Sequence, residues 1–250
     1  MSNYKTLILG LAVLLMFGMM SCKDNSTNTT PTYTPSDYYK FTTGSYWVYQ
    51  TDSLDASGNA ISGFMGIDSV VSAAQEQISG QLAFHLVHDY KNGKTGDTYY
   101  YQDSAKLYGS IANMSIGPFS LPALGWLLNA DFNGTTWNMF DTTITFPITY
   151  LGTTSQVPLH IIIKGTKGLT SLHTVNSTSV TCQDFTLNIS AAGTFSGIIP
   201  IGAAITTTLS FAPKIGLVET TQNGFAITAA GQTAYSFNGY REVLLRYSVH

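Results

Sequence analysis

From Tyr38 to the C-terminus the chain is written in short β-branched and aromatic segments, spaced about a dozen residues apart and separated by Gly, Asn, Asp and Pro. No run of 3.6-residue periodicity alternates with them, so a parallel sheet wrapped by amphipathic helices is excluded. What remains is an all-β fold: an antiparallel, strongly curved sheet in the form of a half-barrel, a lipocalin-like barrel or a sandwich. Strands are predicted at 46–51, 64–72, 82–88, 98–102, 106–109, 142–149, 157–164, 180–190, 204–212, 216–222, 225–228 and 240–249. Turns are predicted at Ala56-Ser57-Gly58-Asn59 and Lys91-Asn92-Gly93-Lys94.

Within two of these segments the alternation assigns faces. Val180, Cys182, Phe185, Leu187 and Ile189 occupy apolar positions, with a change of phase at Gln183-Asp184 that a bulge explains. This reading buries Cys182. In the last segment Val243, Leu245, Tyr247 and Val249 fall on one face and Glu242, Arg246 and Ser248 on the other. Two stretches break the rhythm. Residues 116–128 are apolar and punctuated by proline, with a short helix predicted near 121–129, and 197–204 reads as an apolar, glycine-bearing loop. Both are read as plugs that cap the interior of a curved sheet.

Charged residues make up only 10% of the chain, against roughly 25% in an average globular protein, so Ser, Thr, Asn, Gln and Gly carry its solubility. The formal net charge is −3; removing Lys5 with a leader leaves 10 Lys and Arg against 14 Asp and Glu, or −4. That balance argues against nucleic-acid binding, which needs a basic face to displace phosphate counterions.

The amino terminus carries an address. Lys5 is followed by an uncharged apolar run from Leu7 to Met20 and then by Ser21-Cys22, the layout of a secretory signal. The run falls short of the roughly 20 residues of a comfortable bilayer span. Met19-Met20-Ser21-Cys22 resembles the bacterial lipobox, and Lys23-Asp24 after it is similar to the export signal of Bacteroidota lipoproteins. The resemblance implies cleavage before Cys22, lipid on its thiol and a place on the outer membrane, exposed at the cell surface. With Cys22 lipidated, Cys182 has no partner for a disulfide. Residues 26–37 are rich in Ser, Thr, Asn and Pro and cannot bury enough apolar surface to offset their ordering entropy. The chain therefore divides into a signal peptide (1–21), a flexible tether (22–38) and a single antiparallel β domain (39–250).

A second resemblance covers the β domain. The opening Gly44-Ser-Tyr-Trp47-Val-Tyr49 and the later Phe211-Ala-Pro-Lys-Ile-Gly216-Leu-Val218 resemble a G-x-x-W-x-Y … G-L-V pattern of uncharacterised Bacteroidota β lipoproteins. It implies a lipocalin-like or carrier-like curved sheet and no catalytic residues. Read physically, Gly44 and Gly216 turn the chain into strands whose aromatic and aliphatic residues follow, which makes the motifs structural landmarks.

The search for chemistry returns little. Gly193-Thr-Phe-Ser196-Gly197 puts its serine one place off a nucleophile elbow. His85 and His88 are three apart, which on a strand sets them on opposite faces. His160 and His173 have no ligand partner nearby in sequence, and the few carboxylates sit mostly in turn-like contexts. We find no catalytic, cofactor or metal motif and expect a non-enzyme. Aromatic residues, by contrast, are plentiful, and Trp47, Tyr99, Tyr101, Trp126 and Trp137 are the candidates for a ligand cleft. The first expectation is a lipid-anchored protein that binds an apolar or glycan ligand or a partner protein. The alternatives are a structural component of the envelope without a small-molecule site, and an enzyme with a site dispersed among loops.

Overall fold

The computed structural model describes residues 33–39, 41–55, 57–90, 94–111, 114–116, 119–121, 125–150 and 152–250. Cys22, the lipobox and the Asn92-Gly93 turn lie outside them. The compact unit spans Thr34–His250. Its strands are β1 (Tyr46–Leu54), β2 (Ala60–Ile78), β3 (Gln81–Asp89), β4 (Thr95–Asp103), β5 (Lys106–Ile111), β6 (Met114–Ile116), β7 (Phe119–Leu121), β8 (Gly125–Asp131), β9 (Thr136–Tyr150), β10 (Thr153–Val175), β11 (Thr178–Phe195), β12 (Ile199–Ala212), β13 (Gly216–Gln222), β14 (Phe225–Ala229), β15 (Gln232–Phe237) and β16 (Gly239–Ser248). One 3-10 turn, Pro35–Tyr38, precedes them; the Asp37 carbonyl accepts from the Lys214 amide, and the Tyr38 ring packs on Phe132.

Fourteen strands form one antiparallel sheet, in the order β8-β5-β4-β3-β2-β1-β16-β13-β12-β11-β10-β9, with β14 hooked onto β12 and β15 onto β14. β6 and β7 pair with each other. The sheet curls until it is nearly a closed barrel. Its end strands approach each other at Trp137, whose indole N–H donates to the Leu128 carbonyl at 2.7 Å. Curling buries one face of most strands, which is why the alternation is readable. On β10 the inward residues Val157, Leu159, Ile161, Ile163 and Gly165 alternate with exposed or half-exposed ones. These aliphatics, with Phe146, Ile148, Phe195, Ile201 and Ile227, fill one end of the interior. The other end is aromatic, with Tyr39, Phe41, Trp47, Tyr49, Phe132, Phe185 and Phe211 around Leu107, Val218 and Leu244.

Four expectations are corrected. Residues 125–131 are strand β8, not helix: it pairs with β5, and Leu127 and Ala130 are buried while 122–124 lie outside the described residues. The stretch 199–204 is the start of β12, paired with β11 throughout, and only Ser196-Gly197 turn, both at positive φ. In β16 the faces are exchanged. Its register with β1 slips between Val48 and Tyr49, so that Leu245 becomes an extra residue. Leu244 is buried, whereas Leu245 and Tyr247 are 40% and 38% exposed. The slip carries Glu242 to the inner face beside Leu244. The bulge read at Gln183-Asp184 belongs to the partner strand instead: Gly168 and Leu169 of β10 together stand opposite Asp184.

Candidate functional site

The inner face of β1 presents Trp47, Tyr49 and Thr51 in alternation. Trp47 Nε1–H donates to the Ile215 carbonyl at 2.7 Å and the Tyr49 hydroxyl to the Leu217 carbonyl at 3.0 Å, so both rings are held against the turn into β13. The aromatic opening and the Gly-Leu-Val of the resemblance thus meet in space. Gly216 sits at φ +100, and a Cβ there would lie 3.8 Å from the Trp47 Nε1.

Around these rings the sheet leaves a cavity of about 220 Å³. Its walls come from both halves of the curl: Asp68 and Val70 of β2, Leu86 and His88 of β3, Tyr100 of β4, Leu209 and Phe211 of β12, Leu217 and Thr220 of β13, and Tyr240 and Glu242 of β16. The volume exceeds the roughly 150 Å³ that accommodates a benzene ring and falls below the roughly 300 Å³ of drug-sized sites.

A polar cluster sits in this apolar wall. Asp68 Oδ2 is 2.7 Å from His88 Nδ1, and the other ring nitrogen of His88 meets the Thr98 hydroxyl. Both contacts cross strands, since Val70 of β2 is opposite His88 and Leu86 of β3 is opposite Thr98. Asp68 is only 3% exposed, and its Oδ1 is buried with no hydrogen-bond partner. Glu242 enters from the other side of β1, with the Thr51 hydroxyl 3.4 Å from its Oε1. Burial first, then the nearby Asp68 carboxylate, raises the Glu242 pKa above the usual carboxylate range, opposed by His88 and Thr51. Burial also raises the hydroxyls of Tyr100 and Tyr240 to about 12 and that of Tyr49 well above the ordinary tyrosine range. These phenols are therefore neutral donors at ordinary pH.

Carboxylate, imidazole and hydroxyl stand in the order of a nucleophilic triad. Thr98, however, is not part of the cavity wall, so the hydroxyl meets the ring rather than the enclosed space. Among the described residues no group of three or more His, Cys, Asp or Glu is placed to hold a metal ion.

The five aromatic candidates do not converge. Trp47 lines the cavity. Trp137 faces inward elsewhere, lying over Gly165, where a Cβ would be 2.0 Å from the indole, and against Phe185. Tyr99, Tyr101 and Trp126 lie on the convex face: Tyr99 stacks on His85, and Tyr101 stacks on Tyr108 with Trp126 edge-on. The cavity's polar residues Asp68, His88 and Glu242 were missed as a group. The opposite-face spacing of His85 and His88 was the one available signal, but each histidine was read as a surface or edge residue, which the place of His88 on the cavity wall corrects.

No protein-family model matches the sequence, and no curated protein matches it. Among solved structures the chain is similar to a protein designated a lipoprotein from Parabacteroides distasonis, at 13% identity and a TM-score of 0.46, over 84% of this chain and 98% of that one. It is also similar to a protein designated as exported, with a YmcC-like fold, from Bacteroides fragilis, at 10% identity and a TM-score of 0.43, over 83% of this chain and 96% of that one.

Proposed function

We propose that this chain is a lipid-anchored protein of the outer membrane, held by Cys22 and exposed at the cell surface, whose curved sheet binds a small, mainly apolar ligand without catalysis. The observation that carries the binding reading is the cavity of about 220 Å³ between the two halves of the sheet, with Trp47, Tyr49, Tyr100, Phe211 and Tyr240 among its walls. A chain selected only for stability gains by filling such a space, because each unfilled volume forfeits dispersion contacts. The buried, unpartnered Asp68 Oδ1 on its wall supports the same reading, since a buried acceptor left without a donor is costly. The anchor reading rests on Met19-Met20-Ser21-Cys22 and Lys23-Asp24.

Two measurements test these halves separately. Mass spectrometry of the N-terminal peptide from membrane-extracted protein is expected to show a chain beginning at Cys22 with a diacylglycerol thioether. An unmodified Cys22, or a start elsewhere, overturns the anchor. Native mass spectrometry of the purified protein is expected to show a small-molecule adduct that Leu209→Trp, which fills the cavity, abolishes. An adduct that survives in the filled variant, or no adduct under conditions that keep the fold, overturns the cavity as the binding site.

A further inference from the structure

We propose that the cavity selects small organic cations, with an ammonium group seated between the carboxyls of Asp68 and Glu242 and its hydrocarbon part against the aromatic wall. This deepens the reading of the cavity as a ligand site and rests on it.

The strand register sets the two carboxyls on either side of β1. Asp68 of β2 is opposite Tyr49, and Glu242 of β16 is opposite Thr51 on the other flank. Paired residues of an antiparallel ladder share a face, so Tyr49, Thr51, Asp68 and Glu242 all point inward. The cavity wall carries two carboxyls and one imidazole, and neither Lys nor Arg. The imidazole is committed to Asp68 Oδ2 on one side and to Thr98 on the other, which leaves Asp68 Oδ1 without a donor. An ammonium supplies three donors from one atom, enough for Asp68 Oδ1 and Glu242 together. A single hydroxyl answers only one of them, and an anion meets like charge in a space of low dielectric. The rising pKa of Glu242 reports the same cost of holding two carboxyls together away from water.

The walls point the same way. Trp47, Tyr49, Tyr100 and Phe211 present ring surface to the cavity, and ring faces attract cations more strongly when both are desolvated. The donor set favours an organic cation over a metal ion, since among the described residues no trio of ligating side chains is close enough to bind one. The volume admits a one-ring amine.

Isothermal titration of the full chain with benzylamine, benzyl alcohol and benzoate tests the idea with three probes of nearly equal size. Benzylamine is expected to bind at least about tenfold more tightly than the other two, the discrimination supplied by one charge-assisted hydrogen bond. Asp68→Asn and Glu242→Gln are each expected to remove most of that preference, by weakening benzylamine far more than benzyl alcohol. If Asp68→Asn does not fold, Glu242→Gln carries the test, because it removes a charge that burial already disfavours. Benzyl alcohol binding as tightly as benzylamine, or a preference that survives both substitutions, overturns the cation selection and leaves the apolar cavity site standing. Binding of none of the three overturns both.

Discussion

Cys182 illustrates what a single residue discloses in a strand. Its place on the apolar phase of the 180–190 segment predicted burial, and it is fully buried and free, with its thiol raised to about 12 by burial first and then by Asp184 and Glu219. The thiolate is the reactive form, so the native thiol is nearly inert at pH 8. Reaction with a chromogenic disulfide reagent is expected to be slow and limited by unfolding, and to become rapid in denaturant. Fast labelling of the native protein would contradict the burial. Histidine 88 shows the complementary limit. That it faces away from His85 follows from strand geometry alone. Its partner Asp68 is 20 residues earlier, and Glu242 lies on the last strand, so what His88 meets depends on register. Register in turn depends on the β16 bulge at Leu245, which nothing local announces. Of the site, Trp47 and the opposed faces of His85 and His88 were therefore legible, whereas Asp68, Glu242 and their meeting with His88 were not.

At the level of strands, several of the shorter ones were found close to their limits, whereas the long β2, β9, β10, β11 and β12 were read over only part of their length. The segment 216–222 matches β13 residue for residue, because Gly216 opens it at positive φ and Asn223-Gly224 follow. Strands β6, β7, β8 and β15 were missed. β8 carries three consecutive apolar residues, Trp126 to Leu128, because its inner face meets the core and its outer face meets Tyr101; a segment covered on both faces loses its period-two signature. On the outside, His85 ties three neighbouring strands together. From β3 its Nδ1 meets Glu76 of β2 at 2.8 Å and its Nε2 meets Asp97 of β4 at 2.7 Å, with the Tyr99 ring stacked alongside. The bond to Asp97 first, opposed by burial and reinforced by the bond to Glu76, raises the imidazole pKa above its usual range. A raised folded-state pKa means that the clamp stabilises fully below the unfolded value of about 6.5 and fades as pH climbs through the folded value. Thermal melts of the native protein and His85→Gln are therefore expected to differ more at about pH 5.5 than at about pH 8.5. An equal gap at both would show that the ring acts by packing alone.

For the molecule as a whole, the open question of the sequence reading was how far the sheet closes, and the answer hangs on a small seam. An open sheet of this length exposes two edges that invite pairing with other chains. Here the edges β8 and β9 are turned toward each other and joined without a ladder. The Trp137 indole donates to the Leu128 carbonyl, and Lys167 of β10 extends its ammonium to the Phe132 carbonyl just past β8 at 2.6 Å. Gly165 makes room for the indole, since any Cβ there would collide with it. Trp137 was picked from the sequence for an aromatic cleft, but its role follows from this cross-sheet geometry: it closes the barrel. Trp137→Phe keeps a ring over Gly165 and deletes the hydrogen bond, which is expected to cost about 1–3 kcal/mol in denaturant unfolding. Because the bond spans the seam rather than the sheet, the loss of hydrogen-exchange protection is expected to concentrate in β8 and β9 and to spare β1 and β16. Asn129 is the one cavity-wall residue that β8 and β9 supply, so ligand affinity is expected to change little in the same variant. Uniform loss of protection around the barrel would mean that the seam opens only with the whole fold. A large loss of ligand affinity would mean that closure at β8 and β9 also sets the shape of the cavity.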